Sequence, residues 1–243
     1  MGAEQANYRV ILYPPYHAHR EPMPPELADQ WQRVKTLIDG LGWTYATSDE
    51  LEADDVMFSH ARVEQVAGGR ALLLTGDRDL YGAVSDSVFA LELRKGGEAT
   101  DVDAAGVRER YGVDPQLVPD FIALRGDPSD GLPGAPGIGA KTAAALLHTH
   151  GSLEAAIEAA SAEPPADMRP RSAAALRENA QLLRAFKQIA TLQPIDVTRP
   201  ADRLTDFASG ARVAAEMGMR GLAERLAKLA GARRPLTRRP RVL

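Results

Sequence analysis

Between residues 25 and 42 the apolar positions Leu27, Trp31, Val34, Leu37, Ile38 and Leu41 recur every three or four residues. That spacing puts them on one side of an α-helix, led in by Pro22, Pro24 and Pro25 and ended by Gly40 and Gly42. Trp43-Thr44-Tyr45-Ala46-Thr47 reads as a short strand, and Trp31 and Trp43 as core residues. A second helix is predicted over about 53–67, closed by Gly68-Gly69. Ala71-Leu72-Leu73-Leu74 and Val88-Phe89-Ala90-Leu91 are continuous apolar runs, the habit of strands in a parallel sheet. Residues 8–20, rich in Tyr, Pro and Arg, read as irregular.

Past residue 102 helical patterns dominate: 103–111, 117–124, 140–148, 152–160, 172–191 and 221–230, joined by Gly and Pro. Alternating elements followed by helices predict an α/β domain over 1–110 and a helical domain over 111–243. No repeat of 20–50 residues is evident.

Composition narrows the class. Apolar residues make up 44% of the 243, enough for a real core. The absence of cysteine excludes disulfides and thiolate metal sites. No run approaches the ~20 apolar residues that span a bilayer, and the first residues lack a signal peptide's basic and apolar regions, so a cytoplasmic setting is expected. The net charge of −4 hides an uneven distribution. Acids gather in particular loops, while Arg233, Arg234, Arg238, Arg239 and Arg241 make the last stretch basic, able to attract phosphates without sequence preference.

Three acidic clusters carry candidate chemistry. Glu52-Ala53-Asp54-Asp55 opens a helix, with Glu52 and Asp55 three apart on one face. Thr75-Gly76-Asp77-Arg78-Asp79 follows the Leu-rich strand, at the carboxyl end where α/β folds place ligands. Gly126-Asp127-Pro128-Ser129-Asp130-Gly131 is a turn, expected to fold back to the sheet edge. Singly, each reads as capping or turn chemistry. Together they offer seven carboxylates with no His or Cys beside them, a donor set for hard cations such as Mg²⁺ or Mn²⁺. Two such ions can promote phosphodiester hydrolysis. The histidines His17, His19, His60, His148 and His150 show no carboxylate company at metal spacing and read as surface or packing residues.

After the third cluster comes Leu132-Pro133-Gly134-Ala135-Pro136-Gly137-Ile138-Gly139-Ala140-Lys141-Thr142-Ala143. Glycines opening a helix let backbone N–H groups approach a phosphate. Lys141 adds a cation, so the run fits a helix-hairpin-helix that grips DNA backbone without reading sequence. It is not a P-loop, because Ala140 separates Gly139 from Lys141 and no strand precedes it.

In order and separation these motifs resemble those of the bacterial 5′→3′ exonuclease/flap endonuclease family, stand-alone relatives of the 5′-nuclease domain of DNA polymerase I. The likeness runs from about Tyr8 to Leu229. It implies a PIN-like (resolvase-like) parallel-sheet nuclease domain followed by a helix-three-turn-helix domain. The substrate it implies is branched, flap or 5′-ended DNA. It implies that Glu52, Asp54 and Asp55 hold a first metal ion, and that Asp77, Asp79, Asp127 and Asp130 hold or approach a second. Gly137, Gly139, Lys141 and Thr142 would grip the duplex, with K⁺ on the backbone. Tyr16 and Arg20 match a Tyr-Lys-Ala-x-Arg segment that contacts the 5′ strand, with His17 at the Lys position. Tyr16 reads equally as a base-stacking residue or as packing between prolines.

The family begins with a strand bearing a metal-binding Asp, and a later Phe-Asp-Ala strand end bears another. Here Met1-Gly2-Ala3-Glu4 falls at the second, with Gly2 at the Asp position. The expectation is a chain that starts after the first, short of two ligands and of sheet strands. Three readings stay open: a truncated product or mis-chosen start, a DNA-binding protein that does not cut, or a weak nuclease using the remaining carboxylates. Low activity is expected unless an upstream segment is restored. A PIN-type ribonuclease is a further rival, opposed by the glycine hairpin and the large helical part.

Overall fold

The computed structural model describes residues 2–21, 23–93, 97–162 and 167–232. The basic C-terminal stretch from Arg233 onward lies outside them. The contacts divide the chain into two compact units that interleave in sequence. The larger combines residues 1–20 with 47–199, and the smaller combines 21–46 with 200–243.

In chain order the elements are α1 (Asn7–Leu12), α2 (Pro25–Gly40), α3 (Ala53–Val66), β1 (Ala71–Leu74), β2 (Val88–Leu93), β3 (Ala99–Val102), α4 (Ala104–Tyr111), α5 (Val118–Arg125), α6 (Ala140–His150), α7 (Leu153–Ala160), α8 (Pro170–Glu178), α9 (Ala180–Ala190), α10 (Phe207–Glu216) and α11 (Arg220–Gly231). A 3₁₀ turn over Asp79–Ala83 follows β1.

In the larger unit β1 and β2 pair in parallel, Ala71 opposite Val88 and Leu74 opposite Leu91. β3 adds antiparallel to β2, so the sheet is mixed rather than purely parallel. Leu73 packs inward with Ala61, Leu80 and Val88. Leu72 and Leu74, on the opposite face as strand alternation requires, stay half exposed. The main core lies beneath α5, where Phe121, Ile122, Ala123 and Leu124 are all buried together with Leu147, Leu153, Leu176 and Phe186 of the surrounding helices. Asp120 sits inside this helical layer. Its Oδ1 accepts from the Leu153 amide at 2.7 Å and from Lys187 Nζ at 2.8 Å, which ties α5 to α7 and α9.

The smaller unit packs α10 and α11 with α2 around Leu41, Ala214 and Leu226. Gly210 lets α10 approach Leu41 closely, since a Cβ there would lie 2.4 Å from the Leu41 side chain.

Several elements depart from the sequence expectation. Trp43–Thr47 forms no strand. Trp31 and Trp43 are about half exposed rather than core, and Trp43 donates its indole N–H to Thr205 Oγ1 at 2.9 Å. The helical run 172–191 is two helices, broken where Asn179 leaves helical geometry. Residues 7–12 are helical, and α10 was not anticipated.

The turn that carries the third acidic cluster is held by close backbone approaches. Gly126 and Gly134 both hold positive φ, 83° and 68°. A Cβ on Gly134 would lie 2.4 Å from the Gly126 nitrogen, and one on Gly126 would lie 2.6 Å from the Leu132 carbonyl oxygen. Asp127 and Leu132 exchange backbone hydrogen bonds of 2.8 and 2.7 Å across the turn. Gly134→Ala is therefore expected to cost at least about 2 kcal/mol in urea unfolding. Gly139→Ala, where a Cβ meets nothing within 4 Å, should leave the midpoint nearly unchanged. Equal midpoints for the two variants would contradict this reading of the turn.

Candidate active site

The three acidic clusters come together in the larger unit through three different devices. α3 opens at Glu52, and its first turn places Asp54 and Asp55 about 100° apart around the helix. β1 ends at Leu74, and the following turn is fixed by the Asp77 amide donating to Thr75 Oγ1 and the Asp79 amide donating to Asp77 Oδ1. The Gly126–Gly134 turn returns Asp127 and Asp130 to the same region. Asp77 and Asp79 each feel the charges of Asp127 and Asp130, and Asp54 feels that of Asp77.

Asp54, Asp77, Asp79, Asp127 and Asp130 thus share one electrostatic field. Burial, then the charges of Asp77 and Glu52, pushes the Asp54 carboxyl up to about 7. Burial, then Asp77 and Asp130, holds Asp79 well above the usual carboxylate range. Asp77 is also raised, by burial and by the Asp130 and Asp127 charges, although the Asp79 amide and Arg20 work the other way. Among the described residues Asp54 has no hydrogen-bond or ion-pair partner. Asp127 accepts from the Ser129 amide at 2.9 Å and pairs with Arg125 at 3.2 Å.

Glu52 and Asp55 also act on Asp54, but unlike it they are paired with a cation. Arg9 is 4% exposed, and its two Nη atoms meet Asp55 Oδ2 and Oδ1 at 2.8 and 2.9 Å. The same Nη1 lies 3.3 Å from Glu52 Oε1, and Nε donates to the Ile189 carbonyl at 3.0 Å. Burial works against the guanidinium charge. The Asp55 bonds and the Glu52 charge outweigh it, so Arg9 stays charged. Asp55 Oδ1 also accepts from the Gln193 amide at 2.8 Å, and Glu52 accepts from the Ala6 amide and from Tyr16 Oη. The chain start is equally close: Ala3 donates to the Leu51 carbonyl, and a Cβ on Gly2 would lie 2.1 Å from the Ala53 nitrogen. This backbone course leaves no room for a side chain at position 2.

Tyr16 is buried, its hydroxyl on Glu52 at 3.0 Å. It does not stand open as a base-stacking residue. Its ring stacks instead on His17, centroids 3.9 Å apart. Burial and the Asp130 and Glu52 charges hold its phenol above the ordinary range. His17 is also buried, adopts φ 54°, and places Nε2 2.9 Å from Asp130 Oδ1. His17 thus has a packing role, and its carboxylate partner lies 113 positions away in sequence. Arg20 remains exposed beside this group.

Gly137, Gly139, Lys141 and Thr142 lie where α6 begins, with Gly139 as its N-cap residue. Gly137 holds φ 78°, and Lys141 is exposed. Arg171 of α8 approaches the Gly137 backbone, 3.4 Å from where a Cβ would stand. Sequence reasoning missed Arg171, as it missed Arg9. Arg9 had one local signal, a lone arginine beside the apolar run Val10-Ile11-Leu12.

The donor chemistry suits a hard divalent cation: oxygen ligands only, several without a basic partner, raising one another's pKa. Yet among the described residues no group of three His, Cys, Asp or Glu side chains stands close enough to hold an ion. The field is therefore brought together without being closed around a cation. Among the described residues, no helix is long and apolar enough to cross a membrane.

A mixed sheet with carboxylates at a strand end, followed by a helical layer, defines a resolvase-like architecture with an appended helical region. Residues 1–112 match the family described as 5′-3′ exonuclease, N-terminal resolvase-like domain, and residues 113–207 match 5′-3′ exonuclease, C-terminal SAM fold. The chain belongs to the 5′-3′ exonuclease family. A 5′-3′ exonuclease of Streptomyces coelicolor is 38% identical over 241 residues, covering 90% of this chain and 78% of that protein. DNA polymerase I of Mycobacterium tuberculosis is 43% identical over 152 residues, but these are 62% of this chain and only 17% of the polymerase. The flap endonuclease of bacteriophage T5, solved as a pseudo-enzyme-product complex with DNA and metal ions, shares the fold. The TM-score is 0.63 at 16% identity, covering 95% of this chain and 82% of the other.

A carboxylate field without a cation opposes folding. Asp54 titrates near 7 in the folded chain and near 3.8 when unfolded, so its destabilisation is full above pH 7 and fades as the pH falls toward 4. Asp54→Asn in EDTA is expected to raise Tm by about 2–4 °C at pH 8, with less than half that gain at pH 5 and almost none near pH 4. A lower Tm at pH 8 would show that the carboxylate is held by favourable contacts instead.

Proposed function

We propose that this protein hydrolyses DNA phosphodiester bonds at or near a 5′ end or flap, using divalent ions held by the acidic field, in replication or repair. The observation that carries the reading is the convergence of Asp54, Asp77, Asp79, Asp127 and Asp130 from three separate loops into mutual charge repulsion, which a cation relieves. When bound, Mg²⁺ or Mn²⁺ supplies Lewis-acid chemistry at the phosphodiester. The chain's own residues supply the rest. Arg20 offers an exposed guanidinium beside the field, and the Gly137–Gly139 turn with Lys141 and Thr142 offers amides and a cation to the duplex backbone. K⁺ on that turn's carbonyls and a cytoplasmic setting belong to the same reading.

A second reading is a structure-specific DNA-binding protein with little or no cleavage. Two observations favour it: the field lacks a closed group of three ligands, and position 2 has no room for a carboxylate.

The two readings separate on a 5′-labelled flap DNA. Under the nuclease reading, cleavage occurs with Mg²⁺ or Mn²⁺ and falls at least about 100-fold in Asp77→Ala/Asp79→Ala, an effect of nearly 3 kcal/mol on the barrier, while binding in Ca²⁺ persists. Tight binding without cleavage in the unsubstituted chain supports the second. Lys141→Ala should weaken binding and lower the slope of log affinity against log salt by about 0.9, the share of one phosphate contact. An unchanged slope would remove Lys141 from the interface.

A further inference from the structure

We infer that Arg9 is a built-in cation that takes Glu52 and Asp55 out of the metal-binding set and leaves Asp54 as the member of the first cluster open to a cation. The inference rests on the reading of the acidic field as a divalent-ion site and departs from the expectation that all three acids of the first cluster are ligands.

The geometry assigns every strong acceptor of the pair. Asp55 is fully buried and takes three donors, Arg9 Nη1, Arg9 Nη2 and the Gln193 amide. A metal ion at Asp55 would have to displace a bidentate guanidinium from a site with no solvent access, leaving that charge unpaired in the interior. Glu52 takes the Ala6 amide at 2.9 Å, Tyr16 Oη at 3.0 Å and Arg9 Nη1 at 3.3 Å. The fork geometry matters, since an ammonium could not meet both Asp55 oxygens and the Ile189 carbonyl at once.

The consequence for Asp54 follows from helix geometry. Asp54 and Asp55 are consecutive in the first turn of α3, so fixing Asp55 into the interior fixes the direction of its neighbour, about 100° around the axis. Asp54 is left without a hydrogen-bond or ion-pair partner among the described residues, and the Asp77 charge acts on it. Arg9 is thus a positioning residue that sorts the first cluster into two structural carboxylates and one open to a cation.

The test is Mn²⁺ binding to the whole chain, followed by calorimetry and by thermal shift, with no nucleic acid present. Asp55→Asn and Glu52→Gln should keep the Mn²⁺ affinity within about threefold, whereas Asp54→Asn and Asp79→Asn should each weaken it at least about tenfold. Arg9→Met leaves Asp55 and Glu52 without a cationic partner. Its Tm should fall in EDTA and recover on adding Mn²⁺ by more than the unsubstituted chain gains. Arg9→Met/Asp55→Asn should lose that extra recovery, a signature that a merely structural arginine would not give. If Arg9→Met does not fold, the Asp55→Asn and Glu52→Gln arms decide alone. A tenfold loss in Asp55→Asn or Glu52→Gln, beside the same loss in Asp54→Asn, overturns this inference and leaves the cation reading standing. Absence of Mn²⁺ binding in the unsubstituted chain, or no loss in Asp54→Asn and Asp79→Asn, overturns the cation reading and this inference with it.

Discussion

The buried bond between Arg9 and Asp55 is the constraint around which the larger unit is arranged. Neither group has solvent access, so each is tolerable only because the other is present and because the remaining donors and acceptors are used by Ile189, Gln193 and Glu52. Such a pair contributes modest net stability against an apolar substitute, but losing one partner is severe. Its structural effect is specificity. It joins α1 to the first turn of α3 and to the segment around the end of α9, elements separated by 46 and 180 residues in sequence.

A second constraint acts against the first. Carboxylates brought together without a counter-charge raise one another's pKa and weaken the folded state. The chain accepts this at Asp54, Asp77 and Asp79 and limits it at Asp127, which pairs with Arg125. The Gly126–Gly134 turn makes the crowding possible, since its backbone approaches are too close for any side chain at either glycine. Fold and site are linked, because rigid backbone holds mutually repulsive groups in one region.

Much of this was legible in the sequence because it is local. Continuous apolar runs gave β1 and β2, three- and four-residue spacing gave α2, helical patterns gave α3 through α7 and α11, and the three acidic motifs stood out as candidate chemistry. What was not legible depends on distant partners. The 43–47 segment has strand-like residues but finds no neighbouring strand, and Trp43 spends its indole N–H on Thr205 instead. β3 is polar and short, Ala-Thr-Asp-Val, and owes its existence to pairing with β2. The run 172–191 keeps helical spacing through Asn179, where the backbone nonetheless breaks. Most consequential, the sequence treats Glu52, Asp54 and Asp55 alike. Only the placement of Arg9, 43 positions before Glu52, distinguishes them.

A double-substitution cycle in urea tests that placement most directly. Arg9→Met and Asp55→Leu are made singly and together in the whole chain. The account predicts that each single change costs about 3–5 kcal/mol by stranding a buried charge, and that the double variant recovers at least about 2 kcal/mol of the summed loss. Losses that simply add would contradict it, showing that the two side chains stabilise the fold independently and that the pair does not set the geometry of the acidic site.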